Sequence, residues 1–137
     1  MASLTEIQHP QALRARTVAV DVFGISQRIR TRVAIAPDQI ETFSEVVKHH
    51  VTDPHEIDEL FAALERGQPK PTPRALEYRW KVVAYDASGA RIAELYASAI
   101  APFGMTGSGL HFTFVNEEFI HYLAAHYGGV PAGQNSA

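Results

Sequence analysis

The feature that most constrains the fold is a pair of alternating segments that together predict a β-hairpin from Leu76 to Ile100. Apolar and polar residues alternate along both segments, which is the pattern of strands with one buried face. The connecting residues Asp86 to Gly89 have Asp first and Gly fourth, as a type I turn favours. An even-numbered loop then predicts three cross-strand pairs: Trp80 with Leu95, Lys81 with Glu94, and Arg79 with Tyr96.

Two shorter strands are predicted ahead of the hairpin. From Thr17 to Phe23, valines alternate with other residues in a stretch rich in β-branched side chains. A second alternating stretch, at 28–35, carries three arginines on one face: Arg28, Arg30 and Arg32. This stripe could bind an acidic partner or a phosphorylated ligand, although like charges are also typical of a solvated strand face.

Three helices are predicted from their start signals and apolar spacing. The first covers 37–47, where a proline suits the first position and apolar residues follow at helical spacing. The second runs from the N-cap Asp53 to a stop at Gly67, with Glu56 as the partner in a capping box. The third is capped by Asn116, has two glutamates in its first turn and ends at Gly128.

Two proline- or glycine-rich segments are interpreted as connections. Gln68–Pro73 has prolines at alternate positions and is typical of a stiff, extended connector, the alternative being a peptide ligand for an SH3-type partner. Pro102–Gly109 is interpreted as a glycine-rich loop, followed by a strand at 110–115. Because this loop carries two apolar side chains, Phe103 and Met105, we expect them to be exposed anchors for a protein partner.

The elements follow the order ββααβββα, which predicts an α+β fold. We expect an antiparallel sheet of about five strands with the helices packed on one face. A length of 137 residues fits one domain, 1–137. Residues 1–15 are ambiguous, with a helical turn after Pro10 as one option, and 129–137 are predicted to be a flexible tail.

Composition excludes several functional classes. The formal net charge of −3 disfavours nucleic acid and anionic membranes as main partners. The chain has no cysteine, which excludes disulfides, thiolate catalysis and cysteine-ligated metals. We expect a cytoplasmic location, because the start of the chain lacks a secretory signal pattern and no apolar run is long enough to span a bilayer.

Few residues suggest chemistry. The densest polar cluster is His49, His50, Asp53, His55 and Glu56. It has no fixed metal-ligand spacing, so we interpret it as a solvated loop between the first two helices and predict no metal. Glu118 and His121 form a single E-x-x-H unit, best explained as a surface pair. Asp21 is the only carboxylate that we expect to be partly buried, and no catalytic residue or cofactor is predicted.

The stretch from Tyr78 to Gly89, its return strand and the short closing helix resemble small bacterial immunity proteins of polymorphic and contact-dependent toxin systems. The resemblance covers the C-terminal half and implies a protein that neutralises an enzyme by tight binding, without catalysis. The family has no shared functional residues to carry over. The mild net charge departs from the strongly acidic surface expected of a nuclease inhibitor.

The sequence therefore favours a binding module over an enzyme, with a protein partner such as a toxin and a homodimer left open. The first alternative is a small-molecule-binding domain or enzyme, with a pocket between sheet and helices near Asp21, Tyr96 and His111. The second alternative is a phage-related or other assembly subunit.

Overall fold

The computed structural model describes residues 4–25, 39–67, 70–72, 78–98, 104–107 and 113–127. Four helices lie within these ranges: α1 (Leu4–Gln8), α2 (Gln11–Arg16), α3 (Pro54–Arg66) and α4 (Glu117–His126). Seven strands accompany them: β1 (Ala19–Gly24), β2 (Val47–Val51), β3 (Lys70–Thr72), β4 (Tyr78–Tyr85), β5 (Arg91–Ser98), β6 (Gly104–Gly107) and β7 (Thr113–Val115).

The described strands form one sheet in the order β2-β1-β4-β5-β6-β7-β3, and every neighbouring pair is antiparallel. The predicted α+β class with an antiparallel sheet is confirmed. Four of the predicted strands correspond to β1, β4, β5 and β7. The other three strands, β2, β3 and β6, form in segments that we interpreted as a helix or as connections.

The two faces of the sheet bury different sets of residues. The larger core joins the sheet to the helices through side chains such as Leu13, Leu60, Trp80 and Phe119. The smaller core, on the opposite face, contains Phe23, Ile25, Ile40, Tyr78, Val83 and Tyr96. All buried helical side chains of the described chain belong to the larger core, which confirms that the helices pack on one face.

Local sequence signals determine where α3 and α4 begin. The Asp53 side chain accepts a hydrogen bond from His55 N at 3.3 Å, and a proline occupies the first turn of α3. The Asn116 side chain accepts one from Phe119 N at 3.1 Å at the start of α4. The helical turn considered after Pro10 is also present, as α2.

The predicted helix at 37–47 is wrong over its described part. Residues 39–46 form turns, and the chain enters strand β2 at Val47. In so short a window, valines fit strand and helix patterns equally well. Pairing with β1 makes this segment a strand, with Val20 opposite Val51 and Gly24 opposite Val47. The polar cluster assigned to an interhelical loop therefore lies partly on a strand.

The β4–β5 hairpin is confirmed, but its register differs by two residues from the predicted one. The observed pairs are Trp80 with Ala97, Lys81 with Tyr96, Val82 with Leu95, and Val83 with Glu94. The type I turn ends on Gly89 at φ 84°, and Asp86 N–H donates to Ala90 O at 3.0 Å, so the loop has three residues. The three-residue loop accounts for one residue of the register difference, and an irregularity between Ala84 and Tyr85 accounts for the other. A shift of two keeps each side chain on its predicted face.

Two predicted connections also form strands. Lys70–Thr72, within the proline-rich segment, pairs with β7, and Gly104–Gly107 pairs with both β5 and β7. Met105 is fully buried in the larger core, so the expectation that its side chain is an exposed anchor is wrong. The strand predicted at 28–35, with Arg28, Arg30 and Arg32, lies outside the described residues, as do Phe103 and the tail 129–137.

None of the helices in the described ranges is long and apolar enough to cross a membrane.

Candidate functional site

The candidate site is the edge of the sheet formed by β2. This strand lies at one end of the strand order and, among the described strands, pairs only with β1. Four of its five residues are exposed or half-buried, and only Val51 is buried. A strand paired on one side presents its outward N–H and C=O groups to whatever approaches.

Alternation along β2 divides its side chains between the two faces. Lys48 and His50 lie opposite Phe23 and Asp21, on the face that carries the smaller core. Val47, His49 and Val51 lie opposite Gly24, Val22 and Val20, on the helix-covered face. The edge therefore has one basic face and one face that is largely apolar.

Asp21 organises the basic face. Its side chain is only 6% exposed, yet its carboxylate meets donors from two neighbouring strands. His50 Nδ1 lies 2.6 Å from Oδ1, and Tyr85 donates its hydroxyl to Oδ2 at 2.9 Å. Lys48 Nζ lies 3.7 Å from Oδ2. The predicted burial of Asp21 is confirmed.

The pKa values of this cluster follow from its hydrogen bonds. Burial alone would raise the pKa of Asp21, but hydrogen bonds from His50 and Tyr85, together with the Lys48 charge, outweigh burial and lower it. Burial and the adjacent Asp21 carboxylate raise the pKa of the Tyr85 hydroxyl. Asp21 is therefore a carboxylate, and Tyr85 a neutral donor, at neutral pH.

The carboxylate fixes the orientation of His50. Because Asp21 can only accept at neutral pH, the shared proton resides on Nδ1, and Nε2 is the remaining ring nitrogen. The His50 side chain is 59% exposed. Lys48 is 55% exposed, and its ammonium lies 5.7 Å from the centre of the Phe23 ring. Both side chains are thus in contact with Asp21 and are still more than half exposed.

A second charged cluster lies further along the same face, and its charges balance. Lys81, only 7% exposed, lies 3.6 Å from Glu41 and 3.9 Å from Glu94. Arg91 Nη1 lies 2.9 Å from Glu41 Oε1, an oxygen that is buried without a well-aligned hydrogen bond, and 2.8 Å from Glu94 Oε2. Two cations thus face two anions, and the contacts of Glu41 hold the 39–46 segment against β4 and β5.

His49, on the other face of β2, has a structural environment. Its ring lies 5.2 Å from that of Tyr127, edge to face. The Tyr127 hydroxyl donates to Glu56, and Trp80 Nε1 donates to the Tyr127 carbonyl at 2.8 Å. Burial and the Glu56 carboxylate raise the pKa of Tyr127. These contacts anchor the end of α4 against α3 and the sheet.

The structure separates the histidine cluster that the sequence grouped together. His49 contacts Tyr127, His50 contacts Asp21, and His55 lies 3.1 Å from Glu59 on the exposed face of α3. Among the residues that the structure describes, no three His, Asp or Glu side chains are grouped to hold a metal ion. Both residues of the E-x-x-H unit are exposed, but each forms an ion pair outside the unit: His121 lies 3.9 Å from Glu117, and Glu118 lies 3.9 Å from Arg66.

A groove of about 230 Å³ lies between α2 and α3. Its lining includes Pro10, Phe61 and Ala62, together with Arg14 and Asp58, which form an ion pair at 2.6 Å. Pockets for small molecules usually measure roughly 300–1,000 Å³. This groove is smaller, and neither Asp21 nor Tyr96 lines it.

Lys48 and Tyr85 were not predicted to be members of the site. Asp21 stands out as a single carboxylate in a valine-rich strand, and that local signal predicted its burial. Its partners His50 and Tyr85 are 29 and 64 residues away in the chain. No local sequence pattern identifies either residue as a partner of Asp21, because only strand pairing brings them together.

Comparison with known proteins found no matching family model, no similar curated protein and no similar solved structure.

Proposed function

We propose that this protein is a non-catalytic binding module that captures an extended segment of a partner protein along the edge of β2. The observation that carries the proposal is the exposure of Lys48 and His50 on a strand that pairs only with β1 among the described strands. An extended peptide can extend such a sheet through main-chain hydrogen bonds, while alternate side chains provide specificity.

The strand behind the edge is rigid enough to serve as a template. Val20 and Val22 of β1 are fully buried, and β1 pairs on its other side with the long strand β4. The edge therefore needs little reordering when a partner binds, which reduces the entropic cost of association.

A finer proposal is that the captured partner is an enzyme, which the protein inhibits by covering it. The likeness of the hairpin and closing helix to small immunity proteins of bacterial toxin systems supports this proposal. An inhibitor of that kind needs a stable surface and no catalytic group of its own.

A second candidate function is catalysis with His50 as a general base. The 2.6 Å contact between His50 Nδ1 and Asp21 favours it, because a carboxylate that orients an imidazole is a common arrangement in acid–base catalysis. A panel of ester and phosphodiester substrates tests this candidate: turnover that is lost in His50→Gln would support it over the binding module.

The binding function is tested by panning a library of short random peptides against the immobilised protein. We expect enriched peptides that bind the wild type and lose affinity for the double variant Lys48→Glu/His50→Glu. Arg66→Gln, on the exposed face of α3, is the matched control and should bind as the wild type does. Peptides that bind all three proteins equally would contradict the use of β2.

A further inference from the structure

We infer that the segment captured by β2 is an acidic strand in which carboxylates alternate with apolar residues. This inference rests on the proposed function and specifies the chemistry of the partner at the same edge. It follows from the separation of charge between the two faces of β2.

The basic face of the edge presents one cation, the Lys48 ammonium, and one imidazole, His50, which carries a charge only when it is protonated. Lys48 and His50 are separated by one residue, and both side chains are more than half exposed. Side chains of a partner strand on that face also recur at every second position. Two carboxylates in an acidic-x-acidic pattern would therefore lie opposite Lys48 and His50. Such cross-strand pairs are favourable with the Lys48 ammonium and with the protonated form of His50.

The Asp21 carboxylate lies on the inner side of these two heads, and both heads remain more than half exposed to an incoming carboxylate. The Asp21 side chain is almost completely buried, and its charge is already shared among His50, Tyr85 and Lys48. Its role is that of a positioning residue, which holds the imidazole with Nδ1 inward, so that a partner carboxylate meets the Lys48 ammonium and, when His50 is protonated, its Nε2–H.

The opposite face of β2 favours apolar residues at the partner positions between the two carboxylates. Val47 is 40% exposed, and His49 packs against the Tyr127 ring rather than against an ion. A partner residue that points to this side would contact Val47 and His49, so an aliphatic side chain is the best fit.

Exposed carboxylates limit the length of the acidic stretch. Glu45 lies two residues before β2, and Asp53 lies two residues after it. Carboxylates that extended beyond the five residues of β2 would meet these like charges. The edge thus fits a short acidic strand rather than a long polyacidic chain.

The same charges disfavour a second copy of this chain as the occupant. Antiparallel self-pairing centred on His49 would bring Lys48 next to His50 of the other copy, and parallel pairing would bring the two Lys48 side chains together. Lysine on an edge strand commonly prevents such self-association. A partner of opposite charge is the favoured occupant.

The inference is tested with three synthetic peptides that alternate valine with glutamate, glutamine or lysine, measured by fluorescence anisotropy. We expect the glutamate peptide to bind the wild type about tenfold or more tightly than the glutamine peptide, and the lysine peptide not to bind. In Lys48→Glu/His50→Glu the preference should reverse towards the lysine peptide. Arg66→Glu, which makes the same kind of charge change on α3, should keep the wild-type preference.

Two results would overturn the inference. In one, the three peptides bind the wild type equally and lose that binding in the β2 double variant. Capture at the β2 edge would then stand, but the preference for an acidic partner would be ruled out. If none of the three peptides binds, both the acidic partner and its capture at this edge are ruled out. The same holds if the wild type forms a dimer that Lys48→Glu abolishes.

Discussion

The side chain of Asn116 fills the space in which a Cβ atom on Gly67 would lie. A Cβ placed there would be 1.5 Å from Asn116 Oδ1. Asn116 caps α4 through its Oδ1 and donates its Nδ2 to Leu64 O of α3 at 3.2 Å, so it joins two helices. The sequence predicted Gly67 as a helix stop, but its φ of −67° is one that any residue adopts. Glycine is required here for space.

Gly67→Ala should therefore destabilise the protein by displacing Asn116. We expect a loss of about 1–3 kcal/mol in the free energy of unfolding, measured by urea denaturation, since a helix cap and a buried hydrogen bond are lost together. Asn116→Ala removes the same contacts. Because both changes act on one interaction, the double variant should be little worse than Asn116→Ala alone. Strict additivity of the two effects would show that the clash is relieved in another way.

Gly89→Ala should cost about 1–2 kcal/mol for a different reason, because its φ of 84° lies in the left-handed region that alanine disfavours. No atom lies within 4 Å of the added Cβ, so the cost is conformational only. Gly89→Asn is the matched comparison and should be milder, since asparagine tolerates this region better. Thermal unfolding of the three proteins measures the order, and an alanine variant as stable as the wild type would contradict it.

Asp21→Asn should change how stability depends on pH. The folded-state pKa of Asp21 is lowered below its value of about 3.9 in unfolded chains, so its contribution is complete above that value and is lost as the pH falls through the folded-state pKa. We expect the wild type to be more stable than the variant by about 1–3 kcal/mol at pH 5, with the difference shrinking towards pH 2.5. Urea denaturation at both pH values tests this.

A matched control for Asp21→Asn is Asp58→Asn. Asp58 forms an ion pair with Arg14, but its side chain is 63% exposed. Exposed pairs contribute roughly 0–1 kcal/mol, so this variant should cost less than Asp21→Asn at pH 5. A larger cost at Asp58 would contradict the role that we assign to burial.

Trp80→Phe should loosen the end of α4. Trp80 is fully buried, and its Nε1 is the donor to the Tyr127 carbonyl. Phenylalanine keeps most of the apolar contact but leaves that buried carbonyl without this donor, so we expect a loss of about 1–3 kcal/mol. Amide hydrogen exchange should accelerate most in the last turn of α4. Uniform acceleration across the sheet would instead indicate a general packing defect.

Elements with local signals could be predicted from the sequence. The caps at Asp53 and Asn116 and the Asp86 turn involve residues within four positions of one another, so the pattern contains all the partners. The exact register of the hairpin could not be predicted. It depends on a three-residue loop in place of the even-numbered one predicted, and on an irregularity between Ala84 and Tyr85 that no residue type specifies.

The candidate site could be predicted only in part. The burial of Asp21 follows from its position in a valine-rich strand, but the identity of β2 depends on pairing with a strand more than twenty residues earlier. Met105 shows the same limit, because its burial depends on pairing of β6 with β5 and β7. Sequence patterns report which residues prefer burial or turns, whereas long-range pairing decides which edge of the sheet remains accessible.

The most direct test of the central claim is amide hydrogen–deuterium exchange of β2 with and without the glutamate–valine peptide. In an antiparallel pair, alternate amides of β2 point away from β1 and exchange readily in the free protein. We predict that the peptide slows exchange of these outward amides between Val47 and Val51, with little change in β4 and β5. Unchanged exchange in β2, or protection confined to the groove between α2 and α3, would contradict capture at this edge.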